Sequence, residues 1–182
     1  MSTPSELVRR HAATLAAVAR EAPVVDLACG RGRNALALAR AGVAVLGLDR
    51  SAVHLDALCR AARAESLPVR ALRADLETAP HPPLARGRLG ALLVCRYLHR
   101  PLAPVLAKLL RPGGWLLYET FTLDQRELGY GPRNPDFLLE PGELPRIFAE
   151  LEVVEHWEGL DESGERPAAL ARLVARRPPS SV

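Results

Sequence analysis

Lysine is all but missing from this chain. Of 24 basic residues only Lys108 is a lysine, and the arginines are spread along the whole length. A surface that holds a nucleic acid shows clustered positive charge, so the net charge of +3 and the pI near 9.0 read as compositional bias, with no nucleic-acid partner indicated. Cysteine is scarce too: Cys29, Cys59 and Cys95 are far apart and form no CxxC pair, which speaks against a disulfide framework and a cysteine zinc site and suits a reducing cytoplasm. No metal-ligand set is indicated. There is no apolar run of about 18 residues, so no membrane span is expected, and there is no signal-peptide core. The Arg and Ala content near the start would suit a transit peptide, but Glu6 and Glu21 argue against one.

What is present is enough for one domain. A chain of 182 residues buries about 70% of its unfolded surface, and 48% hydrophobic residues support a core without staples. Pro4 to Glu21 carries Leu7, Val8, Leu15 and Val18 at helical spacing, which predicts an amphipathic helix over the first 21 residues. Val24 to Asp49 then reads as strand, glycine turn, helix, strand and acid. Open parallel sheets bind ligands at the carboxyl ends of their strands, so Asp26, Gly30, Gly32 and Asp49 should face one crevice.

Two ligands compete for that crevice. Gly30-x-Gly32-x-x-Ala35 satisfies the dinucleotide fingerprint, with Asp49 placed as its ribose acid. That fingerprint leaves Asp26 unexplained. The run Asp26-Leu27-Ala28-Cys29-Gly30-Arg31-Gly32 closely resembles motif I of class I S-adenosylmethionine (AdoMet) methyltransferases, an acid followed by alternating glycines. Ala28 replaces the first glycine, a departure expected to cost little because alanine is nearly as small. A helix ending in Leu110-Arg111-Pro112-Gly113-Gly114 before the apolar strand Trp115 to Tyr118 is a second likeness to the same family.

The resemblance implies a fold and a ligand. The fold would be α/β and Rossmann-like, a single domain over 1–182 with a seven-stranded, mostly parallel sheet, helices on both faces and a C-terminal antiparallel hairpin. The ligand would be AdoMet, leaving as S-adenosylhomocysteine (AdoHcy). The implied cofactor residues are Asp26, Ala28, Cys29, Gly30, Gly32, Arg33 and Asn34 at the turn, Asp49 and Arg50 after the second strand, Asp75 and Leu76 after the third, and Cys95 ending the fourth. Asp49 would accept from the ribose hydroxyls, at roughly 1.5–3 kcal/mol per hydrogen bond, and Asp75 from the adenine amino group. The form of motif I looks most like the small tellurite-resistance and thiol-type methyltransferases.

After the fourth strand, Leu89 to Cys95, comes Arg96-Tyr97-Leu98-His99, where the family's reactive methyl group lies. The segment carries neither the Asp/Asn-Pro-Pro-Tyr motif of adenine and glutamine enzymes nor the Pro-Cys of cytosine C5 enzymes, and no paired glutamates suggest an arginine methyltransferase. His99 either takes a proton from the acceptor or orders the loop. Tyr97 either lines the methyl pocket or packs, and Arg96 either holds an anionic substrate or meets solvent. Residues 123–141, with Gly129 and Gly131 around Tyr130, form either a lid over the substrate or a surface excursion. The expected activity is in-line methyl transfer to a small-molecule acceptor (an O, S, N or metalloid nucleophile). The alternatives are an RNA methyltransferase and a catalytically silent AdoMet- or nucleotide-binding module. Oligomeric state is not legible.

Overall fold

A computed structural model describes residues 3–78 and 81–179. Seven strands form one sheet: β1 (Val24–Leu27), β2 (Val45–Asp49), β3 (Val69–Arg73), β4 (Leu89–Cys95), β5 (Leu110–Phe121), β6 (Glu152–Asp161) and β7 (Ala168–Arg176). Their order is β3-β2-β1-β4-β5-β7-β6, with β1 to β5 parallel and β7 antiparallel to both of its neighbours. The chain leaves β1 outward to β2 and β3, then returns to its other side with β4. The crevice beyond the carboxyl ends of β1 and β4 is therefore the switch point at which such sheets bind ligands.

The central strands are apolar because both of their faces are covered. Leu92 and Val94 of β4, with Val25 and Leu27 of β1, enter one core. Ala91 and Leu93 of β4, with Val24 of β1, enter the other. This period of two decides which helix meets which residue. Helices α1 (Glu6–Arg10), α2 (Ala12–Ala19), α3 (Arg33–Arg40) and α4 (Ala52–Ala64) cover the second core through Leu7, Leu15, Leu38 and Leu58. Helices α5 (Ala103–Leu109) and α6 (Glu143–Ile147) cover the first through Leu106, Leu109 and Leu144. Each such leucine contributes about 1.5–3 kcal/mol over its exposed state.

The elements differ from the sequence expectations at three places. The N-terminal helix is broken at His11, because α1 packs on α3 and β5 whereas α2 packs on β1 and β4, and one straight axis cannot serve both. The Arg111–Gly114 turn lies inside β5 rather than before it. Leu110 pairs with Leu89 and Trp115 with Ala91, so four residues bulge out opposite Gly90. The helix expected to end at Leu110 begins as a 3-10 turn at Arg100–Leu102, and Leu110 already belongs to the strand. The crossover between β3 and β4 holds no helix among the described residues, which leave out 79 and 80.

Residues 123–141 are fastened at both ends. Leu139 N–H donates to the Phe121 carbonyl at 2.9 Å and Leu123 N–H to the Leu139 carbonyl at 3.0 Å. Gln125 is fully buried, its amide oxygen accepting from Ala169 N–H at 3.0 Å. The Arg100 guanidinium donates to the Asp136 and Leu138 carbonyls and pairs with Glu143. What is left between these anchors is the tip around Gly129–Asn134.

Candidate active site

The glycine turn after β1 is built from below by Asp26. That side chain is 1% exposed, and its carboxylate accepts the Ala35 N–H of α3 at 3.1 Å. Burial pushes the carboxyl up to about 7; the Ala35 hydrogen bond and then the charge of Arg33 oppose that rise. Gly32 opens α3 with φ of 79°, and a Cβ there would lie 2.2 Å from Leu58 Cδ1, so both backbone angle and space require glycine. Ala28 has φ of 54°. A left-handed alanine costs roughly 1–2 kcal/mol, so the missing glycine matters through backbone angle, contrary to the expectation from size.

Above the turn lies a cavity of about 280 Å³. Asp49, at the end of β2, accepts the Gly30 N–H on one oxygen and the Ser51 N–H on the other, each at 2.8 Å. Every carboxylate oxygen has a second acceptor site, so both remain able to receive ligand hydroxyls. Asp75, two residues beyond β3, lines it as well, its carboxylate accepting Glu77 N–H at 2.9 Å, and Arg50 pairs with Glu77 at 3.2 Å. Tyr97 closes the wall. Its buried hydroxyl has no partner among the described residues, and burial followed by the nearby Glu77 charge pushes the phenol up to about 12.

Arg96 follows β4 with φ of 58°, held there by its N–H donating to the Glu119 carbonyl at 2.7 Å. Its guanidinium lies 4.8 Å from the Phe121 ring centre. Arg96 lines both the first cavity and a second, of about 420 Å³, between α3, the end of β5, the 123–141 segment and the turn from β6 to β7. Behind them Glu119, 1% exposed, accepts from Arg172 Nε and from Ser5 Oγ, each at 2.8 Å. Arg172 also pairs with Glu6 and Asp161 and stacks on Trp157. Ser5 N–H donates to Asn34 Oδ1 at 2.9 Å and Arg33 donates to the Thr3 carbonyl at 2.9 Å, so the N-terminal segment is strapped across the start of α3.

The residues singled out from sequence thus divide. Ala28, Gly30, Asp49, Arg50, Asp75, Leu76, Arg96 and Tyr97 line the first cavity. Arg33 lines the second. Asp26, Gly32 and Asn34 are buried supports beneath the turn, and Cys95 is buried at the end of β4. The Cys29 thiol packs toward Gly47, pushed up by burial. His99 precedes the 3-10 turn, lines neither cavity, and its ring makes no hydrogen bond among the described residues. Sequence reading missed Ser51, His54, Ala74 and Glu77 in the first cavity, and the Glu119–Arg172 pair. The signal for that pair was a lone arginine within the buried run Ala168–Ala175.

The cavity suits AdoMet in its hydrogen-bonding groups and its space. Asp49 and Asp75 both line it, and no heavy atom beyond the chain neighbours lies within 4 Å of where a Gly30 Cβ would stand. The orphaned Tyr97 hydroxyl awaits a polar partner. No curated protein matches the sequence. Among solved structures the chain is similar to TehB from Haemophilus influenzae, with 20% identity and TM-score 0.72 over 92% of this chain and 62% of that one. It is also similar to geranyl diphosphate C-methyltransferase from Streptomyces coelicolor, with 19% identity and TM-score 0.65 over 93% and 80% of the two chains. The [4+2]-cyclase SpnF is similar as well, at 20% identity and TM-score 0.69 over 94% and 81%. A family profile described as "Methyltransferase domain" matches residues 24–114, half of the chain and all of the turn, acids and fourth strand described above. By that match, and by the strand order and cavity built on it, the chain belongs to the methyltransferase domain family as a class I, S-adenosylmethionine-dependent member.

Proposed function

We propose that the protein transfers the methyl group of AdoMet to a small-molecule acceptor by direct in-line displacement. The observation carrying this reading is that the Asp49–Asp75 cavity and a second cavity share one wall residue, Arg96, so two ligands can lie side by side at the carboxyl end of β4. AdoMet, when bound, supplies a methyl group already made electrophilic by its sulfonium charge. The chain's own work is to hold and align. Asp49 and Asp75 bind the nucleoside, the turn and Arg33 meet the methionine end, and Tyr97 and Arg96 wall the space between the cavities. Such positioning alone can contribute on the order of 7–11 kcal/mol.

Neither wall residue is a base. A guanidinium has no site for another proton, and the Tyr97 phenol stays protonated at neutral pH. An acceptor that must lose a proton therefore gives it to water, because His99 lines neither cavity. The 123–141 tip covers the second cavity through Tyr130 and Gly131.

Thermal-shift titration with AdoMet, AdoHcy and NAD tests the donor. A ligand at 100 times its Kd adds about 2.7 kcal/mol of stability, expected here for AdoMet and AdoHcy. Stabilisation by NAD alone overturns the reading. AdoHcy release on a panel of small O, S and N nucleophiles and metalloid oxyanions tests the transfer. Binding without release on any acceptor favours a silent or non-methylating member, as the likeness to a cyclase allows.

A further inference from the structure

The second cavity is unbalanced in charge. Arg33, Arg96 and Arg166 line it, against Glu165 alone among the acids. Glu119, the nearest buried carboxylate, already serves Arg172 and Ser5, and stands 4.0 Å from Arg33. Arg33 is partly engaged as well, through the Thr3 carbonyl. Arg96 and Arg166 make no ion pair among the described residues.

Both free arginines are nonetheless held in place by rings. The Arg96 guanidinium lies 4.8 Å from the Phe121 ring centre and that of Arg166 lies 5.5 Å from the Tyr130 ring centre. Stacking occupies a guanidinium's face and leaves its edge donors, the fork that matches a carboxylate or phosphate. Tyr130 is itself anchored, its hydroxyl donating to the Pro167 carbonyl next to Arg166. Arg96 keeps a left-handed backbone that a side chain reaches only at a cost, the kind of outlier found where a residue is retained for its side chain. Burial and then the neighbouring Arg33 press against its cation, outweighing the charges of Glu119 and Asp161, which act the other way without pairing with it.

We infer that the acceptor carries a carboxylate or phosphate group, seated between the edges of Arg96 and Arg166 in the second cavity. This rests on the methyltransferase reading and names the substrate class for its site. At about 420 Å³ the cavity takes a small organic anion, within the roughly 300–1,000 Å³ range of ligand pockets. The nucleophilic atom belongs to the remainder of that molecule.

The test titrates AdoHcy-saturated protein calorimetrically with inorganic phosphate and, separately, malonate, at fixed ionic strength in chloride. The expected result is 1:1 binding of at least one, the better probe identifying which anion the site prefers. Arg96→Gln and Arg166→Gln should each weaken it at least tenfold, with Arg63→Gln on α4 as an unaffected control. AdoHcy affinity of Arg166→Gln should stay within twofold of wild type, because Arg166 lines only the second cavity. Two results overturn the inference: no binding of either anion to the AdoHcy complex, or equal binding to both glutamine variants. Anion binding that AdoHcy displaces also overturns it, since the arginines would then hold the cofactor's own carboxylate. Failure of AdoHcy to bind defeats the methyltransferase reading instead, and the same titration on the free protein still decides whether the arginine site exists.

Discussion

The two cavities that meet at Arg96 are built on opposite plans. On the cofactor side every acid has a partner within the chain: Asp26 holds Ala35, Asp49 holds Gly30 and Ser51, Asp75 holds Glu77. These bonds fix the ends of β1, β2 and β3 within the chain itself, so the site is shaped before a ligand arrives. On the side proposed for the acceptor the free groups are cations held by aromatic rings, and the wall is gathered from Thr3 to Ala168. A preformed site suits a ligand common to a whole family. An unbalanced one is where members of that family can differ, because changing Arg96 or Arg166 there removes no side-chain hydrogen bond among the described residues. The Glu119–Arg172 pair lies beneath both and ties α1 to β5, β6 and β7.

The strongest break in this contrast is at that pair. Arg172→Ala leaves Glu119 buried and without its cation, and removing one partner of a buried ion pair costs about 3–5 kcal/mol. Chemical denaturation should show that loss in midpoint, and the N-terminal strap should become open to proteolysis. A loss under about 1 kcal/mol would mean the network is solvated and the two sides are independent. Next comes Asp49→Ala. With two ribose hydrogen bonds to a charged acceptor removed, AdoHcy affinity should fall about 100-fold by calorimetry, while anion binding at Arg96 and Arg166 persists. Unchanged AdoHcy affinity would remove Asp49 from the cofactor site.

The same contrast explains what could be read in advance. Asp26, the glycine turn, Asp49 and Asp75 sit in local patterns, so strand ends and acids could be placed from the chain alone. β4 was bounded residue for residue because it is an uninterrupted apolar run. The acceptor cavity has no local pattern. Phe121, Gln125, Tyr130 and Arg166 meet only after the hairpin folds back on β5, and nothing in their spacing announces it. The break at His11 was hidden for a related reason: helical spacing continues through it, and only the two packing directions of α1 and α2 demand it. At Ala28 side-chain size was the wrong quantity, because the turn selects on φ.

A smaller effect on the cofactor side should appear as a pH dependence. Asp26 is raised to about 7 in the folded protein, above its unfolded value of about 3.9. The sign follows: with the folded value above the unfolded one, the stabilisation from holding the proton is complete below about pH 4 and is lost as pH rises through 7. Above that pH the buried carboxylate is a standing cost. Asp26→Asn, neutral throughout, should therefore gain in Tm relative to wild type between pH 5 and pH 8, by several degrees. A difference that does not change with pH would show that Asp26 is ionised at both ends and that Arg33 and the Ala35 N–H suffice to hold it.

The smallest effect separates two left-handed residues, Ala28 on the cofactor side and Arg96 on the border. Ala28→Gly relieves roughly 1–2 kcal/mol of backbone strain but adds about 0.5–1 kcal/mol of unfolded-state entropy and gives up part of a buried methyl. The net expectation is a gain of about 0.5 kcal/mol, a Tm rise of roughly 1–2 °C, with AdoHcy affinity retained. Arg96→Gly relieves the same strain and should also hold or raise Tm, yet lose anion binding on the AdoHcy complex. If instead both variants kept the anion, Arg96 would be left-handed only because the Glu119 carbonyl fixes its N–H. The distinction between a preformed cofactor side and a charge-selective acceptor side would then rest on Arg166 alone.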